Sequence, residues 1–434
     1  MAMTSEVCSK TIDRVRNSIN KKLIGQSSHI SSNQCIFKVP NELRSVNEKA
    51  YEPQMIAIGP YHHGKPHLIA MEEHKIRYLQ SFLQRRNEND ASRYVQIIGE
   101  LEENTRRCYA ETLDLTEEAF VEMMLLDGCF IIEFIWKFFE TPVQDPLFGS
   151  IHMWNRLMLD LLLLENQLPF FILWKLLVAS NSNVIPDPAE SHFIKLTLLA
   201  YKMFLPGPVY GPDRIPLYSR EEIMQIKSLL GLLHDHRKPS PERMDAYLEG
   251  RENIKRFTRC ATELQESGIK FESLEGCNLF DIKFEKGIIK IPKIKIEDRT
   301  ECVLRNLIAY EQLTSSRSPY FTDYMVFIDS LIDSAKDVEI LCCQGIIENW
   351  KGDDDTIAIL LNKIGEQVFC DRALYADIQK NVDKHCKRQW NQWMAKLRHD
   401  YFNGPWALIS VSAAAILFLL TGTQTVYSVL SYYK

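Results

Sequence analysis

The sequence lacks the short motifs that carry familiar enzyme chemistry. It contains no G-x-S-x-G nucleophile elbow, no P-loop, no G-x-G-x-x-G dinucleotide loop and no H-E-x-x-H zinc motif. Hydrolase, kinase, nucleotide-binding and zinc-peptidase functions therefore lose their usual support. We predict no bound cofactor, and the motifs assign no catalytic residue.

An excess of positive charge is also missing. The 434 residues include 51 Lys and Arg against 57 Asp and Glu, which gives a net charge of −6 without a dense basic stripe. This balance predicts no nucleic-acid partner. The N-terminus has no apolar signal-peptide core. The 11 cysteines are odd in number and form no C-x-x-C pair, so we expect reduced cysteines of a cytosolic protein rather than disulfides or a zinc site.

Charged residues are absent from one long segment, Tyr401–Tyr433. Within it, Trp406–Leu420 is apolar or small throughout, and roughly 20 such residues cross the hydrocarbon core of a bilayer. Aromatic residues cluster on both sides, as they do at membrane interfaces. We place a single transmembrane helix, a tail anchor in the lipid bilayer, near residues 405–427. The alternative is a buried core helix that ends a soluble domain.

The charges beside this span predict its orientation. Six basic residues precede the span and only Lys434 follows it. The positive-inside rule then puts the large N-terminal body in the cytosol, although it does not identify the membrane. The six are Lys380, Lys384, Lys387, Arg388, Lys396 and Arg398.

Two further apolar stretches, Met123–Phe139 and Leu157–Val178, each contain two acids. An acid at the bilayer centre costs about 2.5–3.5 kcal/mol on insertion scales. Both stretches are therefore predicted to be central helices of a soluble core, with the acids in buried pairs or at polar edges.

The rest of the chain predicts a mainly α fold. We divide it into a variable segment, 1–34, a helical cytosolic body, 35–400, and the anchor, 401–434. The variable segment contains a short amphipathic helix, and Leu205–Leu217 has too much Pro and Gly for a helix. Helical periodicity covers residues 68–87, 92–113, 117–140, 151–180, 191–204, 219–236, 242–267, 299–316, 320–349, 355–370 and 372–400.

One small β element interrupts this pattern. Asn278–Ile296 alternates apolar and polar residues on both sides of Lys286-Gly287. Such a pattern is typical of a β-hairpin, with Gly287 at the turn. A single hairpin is marginally stable in water, so we expect it to pack on helices.

Several segments together carry a family resemblance. They are Tyr51–Gly64 (YEPQMIAIGPYHHG), Asp127–Phe130 (DGCF), Leu164–Phe171 (LENQLPFF), Ala261–Leu264 (ATEL) and Leu307–Gln312 (LIAYEQ). From about Cys35 to the C-terminus the chain resembles the plant family catalogued as "domain of unknown function 247". The resemblance implies a membrane-anchored plant protein without assigned catalytic residues. Some members are tied to pollen–stigma self-recognition, which points to signalling or partner binding.

Histidines form the first candidate site. His62 and His63, with His67 and His74 nearby, are residue types that bind metals. However, Gly59-Pro60 and Gly64 frame a turn, and no zinc-ligand spacing is present. We expect a structural turn whose imidazoles hydrogen-bond the core, with a metal site as the alternative.

Acids in the two apolar stretches form the second candidate site. Asp127, Glu133, Asp160 and Glu165 could perform acid–base chemistry in a desolvated cleft. Asp127 and Glu133 are six residues apart and Asp160 and Glu165 are five apart, so neither pair would share a face of a helix. We favour a buried polar network that fixes helix register, because buried acids must be paired in any case.

A third acidic group, Asp353–Asp355, resembles a metal cluster. It directly precedes the apolar segment Thr356–Leu361. Negative charge at a helix N-terminus accounts for it without a metal.

Two functions of different class remain. The first is a membrane-tethered protein that acts through protein–protein interaction or signalling with partners not yet known. The second is an enzyme of unrecognised type, with a site built from His62, His63 and the four acids. Convergence of these groups on one concave pocket would favour the enzyme.

Overall fold

The computed structural model describes residues 14–20, 34–140, 145–180, 189–207, 218–249, 258–314, 319–370, 374–387 and 405–432. Helices account for 61% of the chain, which confirms the mainly α prediction. They are α1 (14–20), α2 (Asn41–Val46), α3 (Ala70–Gln84), α4 (Ser92–Arg106), α5 (Glu117–Phe139), α6 (Ile151–Asp160), α7 (Phe170–Ala179), α8 (Ala189–Ala200), α9 (Arg220–Gln225), α10 (Leu229–His236), α11 (Pro241–Glu249), α12 (Ala261–Glu266), α13 (Thr300–Leu313), α14 (Tyr320–Leu331), α15 (Ala335–Cys343), α16 (Asp354–Gly365), α17 (Ala376–Cys386) and α18 (Pro405–Tyr432).

Two short 3-10 helices, Glu48–Ala50 and Tyr201–Met203, and five short strands complete the described elements. The strands are β1 (Lys270–Leu274), β2 (Lys283–Glu285), β3 (Ile288–Pro292), β4 (Ile294–Ile296) and β5 (Ile347–Asn349). The chain divides into two compact units. The first unit is Met1–Leu205, Val209–His236 and Cys302–Arg317. The second unit is Pro206–Pro208, Arg237–Glu301 and Ser318–Lys434.

Helix α5 is the centre of the first unit. Thr116 caps its N-terminus by accepting a hydrogen bond from the backbone N–H of Ala119. Helices α3, α4, α7 and α8 pack around α5. Because a helix that is surrounded by others buries all of its faces, α5 is apolar on nearly every side. Gly128 permits the close approach of α7, since a Cβ there would lie 2.5 Å from Cδ1 of Leu176.

The prediction of one helix over 151–180 is wrong. Helix α6 ends at Asp160, and α7 begins at Phe170 after Pro169. Proline lacks a backbone N–H and disfavours helical geometry in the residue before it. The side chain of Gln167 then stabilises the intervening turn by donating to the carbonyls of Leu161 and Leu163, at 2.8 and 2.9 Å. Glu165 therefore lies in a buried turn and not on a helix.

The predicted hairpin is confirmed in the second unit. Strands β2 and β3 pair antiparallel, and Lys286 and Gly287 have φ of 51° and 83°, the positive values that a type I′ turn requires. The hairpin is joined by β1, which pairs parallel to β3 and was not predicted. Its expected extension through Ile294 and Ile296 is wrong, because β4 instead pairs parallel to β5.

Other predicted helices are interrupted. The predicted helix 320–349 is two helices and a strand, since α14 ends at Leu331 and Gly345, with φ of 68°, separates α15 from β5. The predicted helix 219–236 is split into α9 and α10. The predicted cap of the 355–370 helix is confirmed, because Asp353 accepts from the backbone N–H of Thr356 at 3.0 Å. Residues 208–217 of the predicted loop lie outside the described residues.

Helix α18 contains the charge-free segment. Over Ser412–Ser431 its mean hydropathy is 1.6 and none of it is buried, so it is long and apolar enough to cross a membrane. The expected span, 405–427, falls on the same helix but begins earlier. Among the described residues, this is the one helix that meets the length and composition of a membrane span.

The hairpin turn generates a test of fold packing. A Cβ on Gly287 would lie 2.9 Å from Cε1 of His385, whereas a Cβ on Gly276, with φ of 70°, would meet no atom within 4 Å. Both Gly→Ala variants force alanine into a left-handed conformation, at about 1 kcal/mol each. Gly287→Ala is therefore expected to lower the free energy of unfolding more than Gly276→Ala, measured by denaturant titration of the full chain in detergent. Equal losses would contradict the contact with His385.

Candidate functional site

The segment Gln54–Gly59 has no regular secondary structure, yet Ile56, Ala57 and Ile58 are buried. We call it the buried segment. Buried backbone N–H and C=O groups need hydrogen-bond partners, and a segment outside helices and sheets must find them elsewhere. Side chains of the predicted polar cluster supply them.

Asp160 holds the beginning of the buried segment. Its carboxylate accepts hydrogen bonds from the backbone N–H groups of Gln54 at 3.0 Å, Met55 at 2.6 Å and Ile56 at 3.0 Å. Burial raises the pKa of Asp160 to about 6, and the three backbone donors oppose that rise. All of the contacts are to backbone donors, which indicates a structural role.

Asn166 holds the middle of the segment. Its Oδ1 accepts from the backbone N–H of Ile58 at 2.6 Å, and its Nδ2 donates to the carbonyls of Ile56 and Asp160, at 3.0 and 2.9 Å. One amide side chain thus joins the buried segment to the end of α6, in the manner of a neighbouring strand.

Asp127 on α5 holds the end of the segment. Its Oδ2 accepts from the backbone N–H of Gly59 at 2.7 Å, and its Oδ1 lies 2.5 Å from Nζ of Lys75. Lys75 also lies 2.8 Å from a carboxylate oxygen of Glu72. Burial raises the pKa of Asp127, against the lowering effect of Lys75. This ion pair is fully enclosed, since Lys75 is 0% exposed.

Glu133 lies apart from this network. It is six residues after Asp127 on α5, or about 9 Å along the axis. Its carboxylate pairs with Arg85 at 3.0 Å and Arg86 at 3.4 Å, and Arg85 continues to Glu140 at 2.5 Å. The carboxylate of Glu133 is therefore paired with two guanidinium groups.

Glu165 and His62 meet at a second ionic cluster. The Nε2 atom of His62 lies 3.2 Å from Glu165, and its Nδ1 atom lies 3.7 Å from Glu52. Arg44 bridges the same two carboxylates, at 2.5 Å from Glu165 and 2.6 Å from Glu52. Lys65 adds a second cation 2.5 Å from Glu52. His62 is 2% exposed, so the ring is enclosed between the two acids.

This ionic cluster forms one wall of a cleft of about 450 Å³. Its lining includes three acidic side chains and, besides His62, three basic ones, with little apolar surface for an organic ligand. The lining residues are Lys38, Val39, Pro40, Asn41, Arg44, Glu52, Tyr61, His62, Lys65, Glu111 and Glu165.

The electrostatics of Glu165 oppose acid–base work near neutral pH. Burial would raise its pKa, but the adjacent His62 ring and the hydrogen bonds from Arg44 and from the backbone N–H of Val39 (2.6 Å) hold the pKa below its ordinary value of 4.5. A lowered pKa means that the fold favours the ionised carboxylate. Its stabilising contribution is present above pH 4.5 and is lost as the pH falls through the lower, folded-state pKa.

The predicted site residues thus separate into three places. Only His62 and Glu165 line the cleft together. Asp127 and Asp160 hold the buried segment, and Glu133 pairs with arginines.

The remaining histidines do not join His62 in a ligand set. His63 is exposed, and Nε2 of His67 lies 3.2 Å from the carbonyl oxygen of Pro53. Burial lowers the pKa of His74, which lies on α3. Within the described ranges, no three His, Cys, Asp or Glu side chains are arranged to hold a metal ion.

Sequence reasoning missed Lys75. It occupies the apolar stripe of α3, since Met71, Tyr78 and Phe82 at helical spacing are all buried. A lysine within such a stripe signals a buried acid as partner, which here is Asp127.

A second buried histidine–acid pair was also missed. Nε2 of His234 lies 2.8 Å from Glu311, and Nδ1 lies 3.2 Å from Asp235. Burial would lower the pKa of His234, but the two carboxylates raise it above the ordinary value. Glu311 belongs to the LIAYEQ segment, so this motif also supplies a buried partner.

Comparison with known proteins identifies the family. The model of DUF247, described as "Plant protein of unknown function", matches residues 36–420. The chain belongs to the DUF247 family. That span includes the buried segment, the cleft residues and α18 as far as Leu420.

Two curated relatives of this DUF247 protein are UPF0481 proteins of Arabidopsis thaliana. One is 30% identical over 427 residues, covering 92% of this chain and 87% of the relative. The other is 23% identical over 477 residues, covering 90% of this chain and 89% of the relative. No solved structure matches the chain.

The Asp127–Lys75 pair generates a stability test. Asp127→Ala removes the carboxylate that pairs with the enclosed ammonium group of Lys75 and accepts the hydrogen bond from the N–H of Gly59. We therefore expect the free energy of unfolding to fall by about 3–5 kcal/mol. The apolar double variant Lys75→Met/Asp127→Leu should recover most of that loss, because no buried charge remains.

The matched control is His63→Ala, an exposed neighbour of His62, which should change the unfolding free energy by less than about 0.5 kcal/mol. Denaturant titration measures all three. If Asp127→Ala unfolds like the unaltered protein, the ion pair does not support the fold.

Proposed function

We propose that this DUF247 protein is anchored in a membrane by α18 and acts through protein–protein interaction or signalling on the cytosolic side. The observation that carries the proposal is the exposed apolar surface of α18 over Ser412–Ser431. Large exposed apolar surfaces mark membrane or protein contacts. A helix with this surface on every side is better matched to lipid than to one protein partner.

Threonines within α18 are compatible with that placement. The hydroxyls of Thr421 and Thr425 donate to the carbonyls four residues earlier, at 2.8 Å each, and Thr423 does so at 3.0 Å. A hydroxyl bonded to its own helix exposes no unsatisfied donor to hydrocarbon. These three threonines are therefore suited to a lipid environment.

The cytosolic orientation rests on the flanking charges. Basic residues precede α18, and in membrane proteins such residues stay on the cytosolic side. The anchor would confine the body to a surface and raise its effective concentration toward partners on that surface.

The geometry of the acids supports interaction over catalysis. Asp127, Asp160 and Glu133 accept hydrogen bonds from fixed backbone, lysine or arginine donors. Groups committed in this way are not available to a substrate.

An enzyme of unrecognised type is the alternative, and the cleft favours it, because His62 and Glu165 face each other at its wall. A histidine paired with a carboxylate is an arrangement that transfers protons. An activity lost in His62→Gln while the unfolding free energy stays unchanged would favour this alternative.

Topology tests the proposal. In sealed membranes from plant cells, added protease should digest the body of the full chain, because the body faces the cytosolic side. Replacing α18 by an unrelated C-terminal anchor should leave both this digestion and the neighbours found by proximity labelling unchanged. A chain that ends at Arg398 should no longer associate with the membrane, and proximity labelling should no longer find those neighbours.

Protection of the body until detergent is added would overturn the orientation. Neighbours that are lost with the unrelated anchor would show that α18 itself makes specific contacts. Ser410, Ala413, Ala414 and Gly422, small residues that allow close helix packing, would then be the first to substitute.

A further inference from the structure

Helix α17 has a basic outer face. Lys380, Lys384 and Lys387 follow one another at spacings of four and three and are all exposed. The opposite face is buried through Ile378, Val382 and Cys386. The three ammonium groups therefore share one solvent-facing side of the last described helix before α18.

The β2–β3 hairpin extends this face. Gly287 at the hairpin turn lies against the ring of His385, and the ring of Phe284 lies 5.9 Å from the same imidazole. Lys286 immediately precedes Gly287, just as Lys384 immediately precedes His385, so one lysine from each element flanks the contact. Lys283 and Lys286 are both exposed.

We call Lys283, Lys286, Lys380, Lys384 and Lys387 the basic face. Within the described part of the chain, none of these five has a carboxylate at salt-bridge distance. Of the acids beside them, Glu285 pairs with Lys290 at 3.0 Å and Asp377 pairs with Arg243 at 2.8 Å, while half-buried Asp383 lies three residues after Lys380 on the lysine side of α17. The chain is acidic as a whole, but here five lysines outnumber the acids beside them, so this surface carries a net positive charge.

Chain connectivity limits the distance between the basic face and α18. Residues 388–404 join α17 to α18, and even fully extended they reach only about 60 Å. In sequence, this joining segment adds Arg388, Lys396 and Arg398 against one acid, Asp400. Clusters of four to eight basic residues immediately cytosolic of a membrane helix bind anionic lipids.

We propose that the basic face lies on anionic phospholipid headgroups of the membrane that holds α18. The inference rests on the proposed membrane anchoring and adds a second, electrostatic contact. All five residues of the face are lysines, which act as point charges toward phosphates and lack the planar fork with which arginine reads a specific partner. A diffuse anionic surface fits this composition better than an acidic protein does.

The test uses the full chain in sealed vesicles of neutral phosphatidylcholine, or of the same lipid with a third of phosphatidylserine. A membrane-impermeant acetylating reagent is added, and mass spectrometry gives the rate at each lysine. We expect several-fold slower acetylation of all five lysines of the basic face in the anionic vesicles. High salt should restore the rates, because it screens surface charge. Lys336, exposed on α15 of the same unit, is the control and should react equally in both.

A triple variant makes the test sharper. Lys286→Gln/Lys384→Gln/Lys387→Gln removes three charges, each contributing roughly five-fold to surface binding, so Lys283 and Lys380 should lose their protection. Lys336→Gln is the matched substitution and should leave that protection intact.

Each outcome separates the two proposals. A chain that fails to float with either vesicle overturns the membrane anchoring and this inference together. A chain that floats with both vesicles but shows equal acetylation retains its anchor and overturns the lipid contact alone. Protection that appears in neutral vesicles only after cytosolic protein is added would assign the basic face to an acidic protein instead.

Discussion

The hydrogen bonds that hold the buried segment are the interaction on which the first unit depends. Asp160, Asn166 and Asp127 come from α6, the following turn and α5, and together they bind the backbone of Gln54–Gly59. Because an unpaired backbone group in a protein interior costs about 1–3 kcal/mol, the segment stays buried only while these side chains remain in place. The requirement fixes α5, α6 and the turn relative to one another.

This constraint also gives the acids of the apolar helices a physical purpose. A carboxylate within an apolar helix is costly unless it accepts several hydrogen bonds or pairs with a cation. Asp160 satisfies the first condition through three backbone donors, and Asp127 satisfies both through Gly59 and Lys75.

Periodicity predicted the helices well but not their ends. The hairpin at Lys286-Gly287 and the cap at Asp353 were predictable because both depend on local residues. The break between α6 and α7 was missed although Pro169 is visible in the sequence, because part of what holds the turn is long-range: Asn166 donates to the carbonyl of Ile56, and Gln167 accepts from the backbone N–H of Leu230. For the same reason, the sequence could show that acids were buried but not which cation or backbone group each would meet. Strand β5 was missed because its partner, β4, is about fifty residues away in the chain.

Amide hydrogen exchange of the buried segment tests the central claim most directly. If side chains hold this segment as firmly as a strand holds its neighbour, the amides of Ile56, Ile58 and Gly59 should exchange only through global unfolding, at the rate of the α5 core. The amide of exposed His63 should exchange quickly in the same experiment. Fast exchange at Ile56 and Ile58 while α5 stays protected would contradict the account.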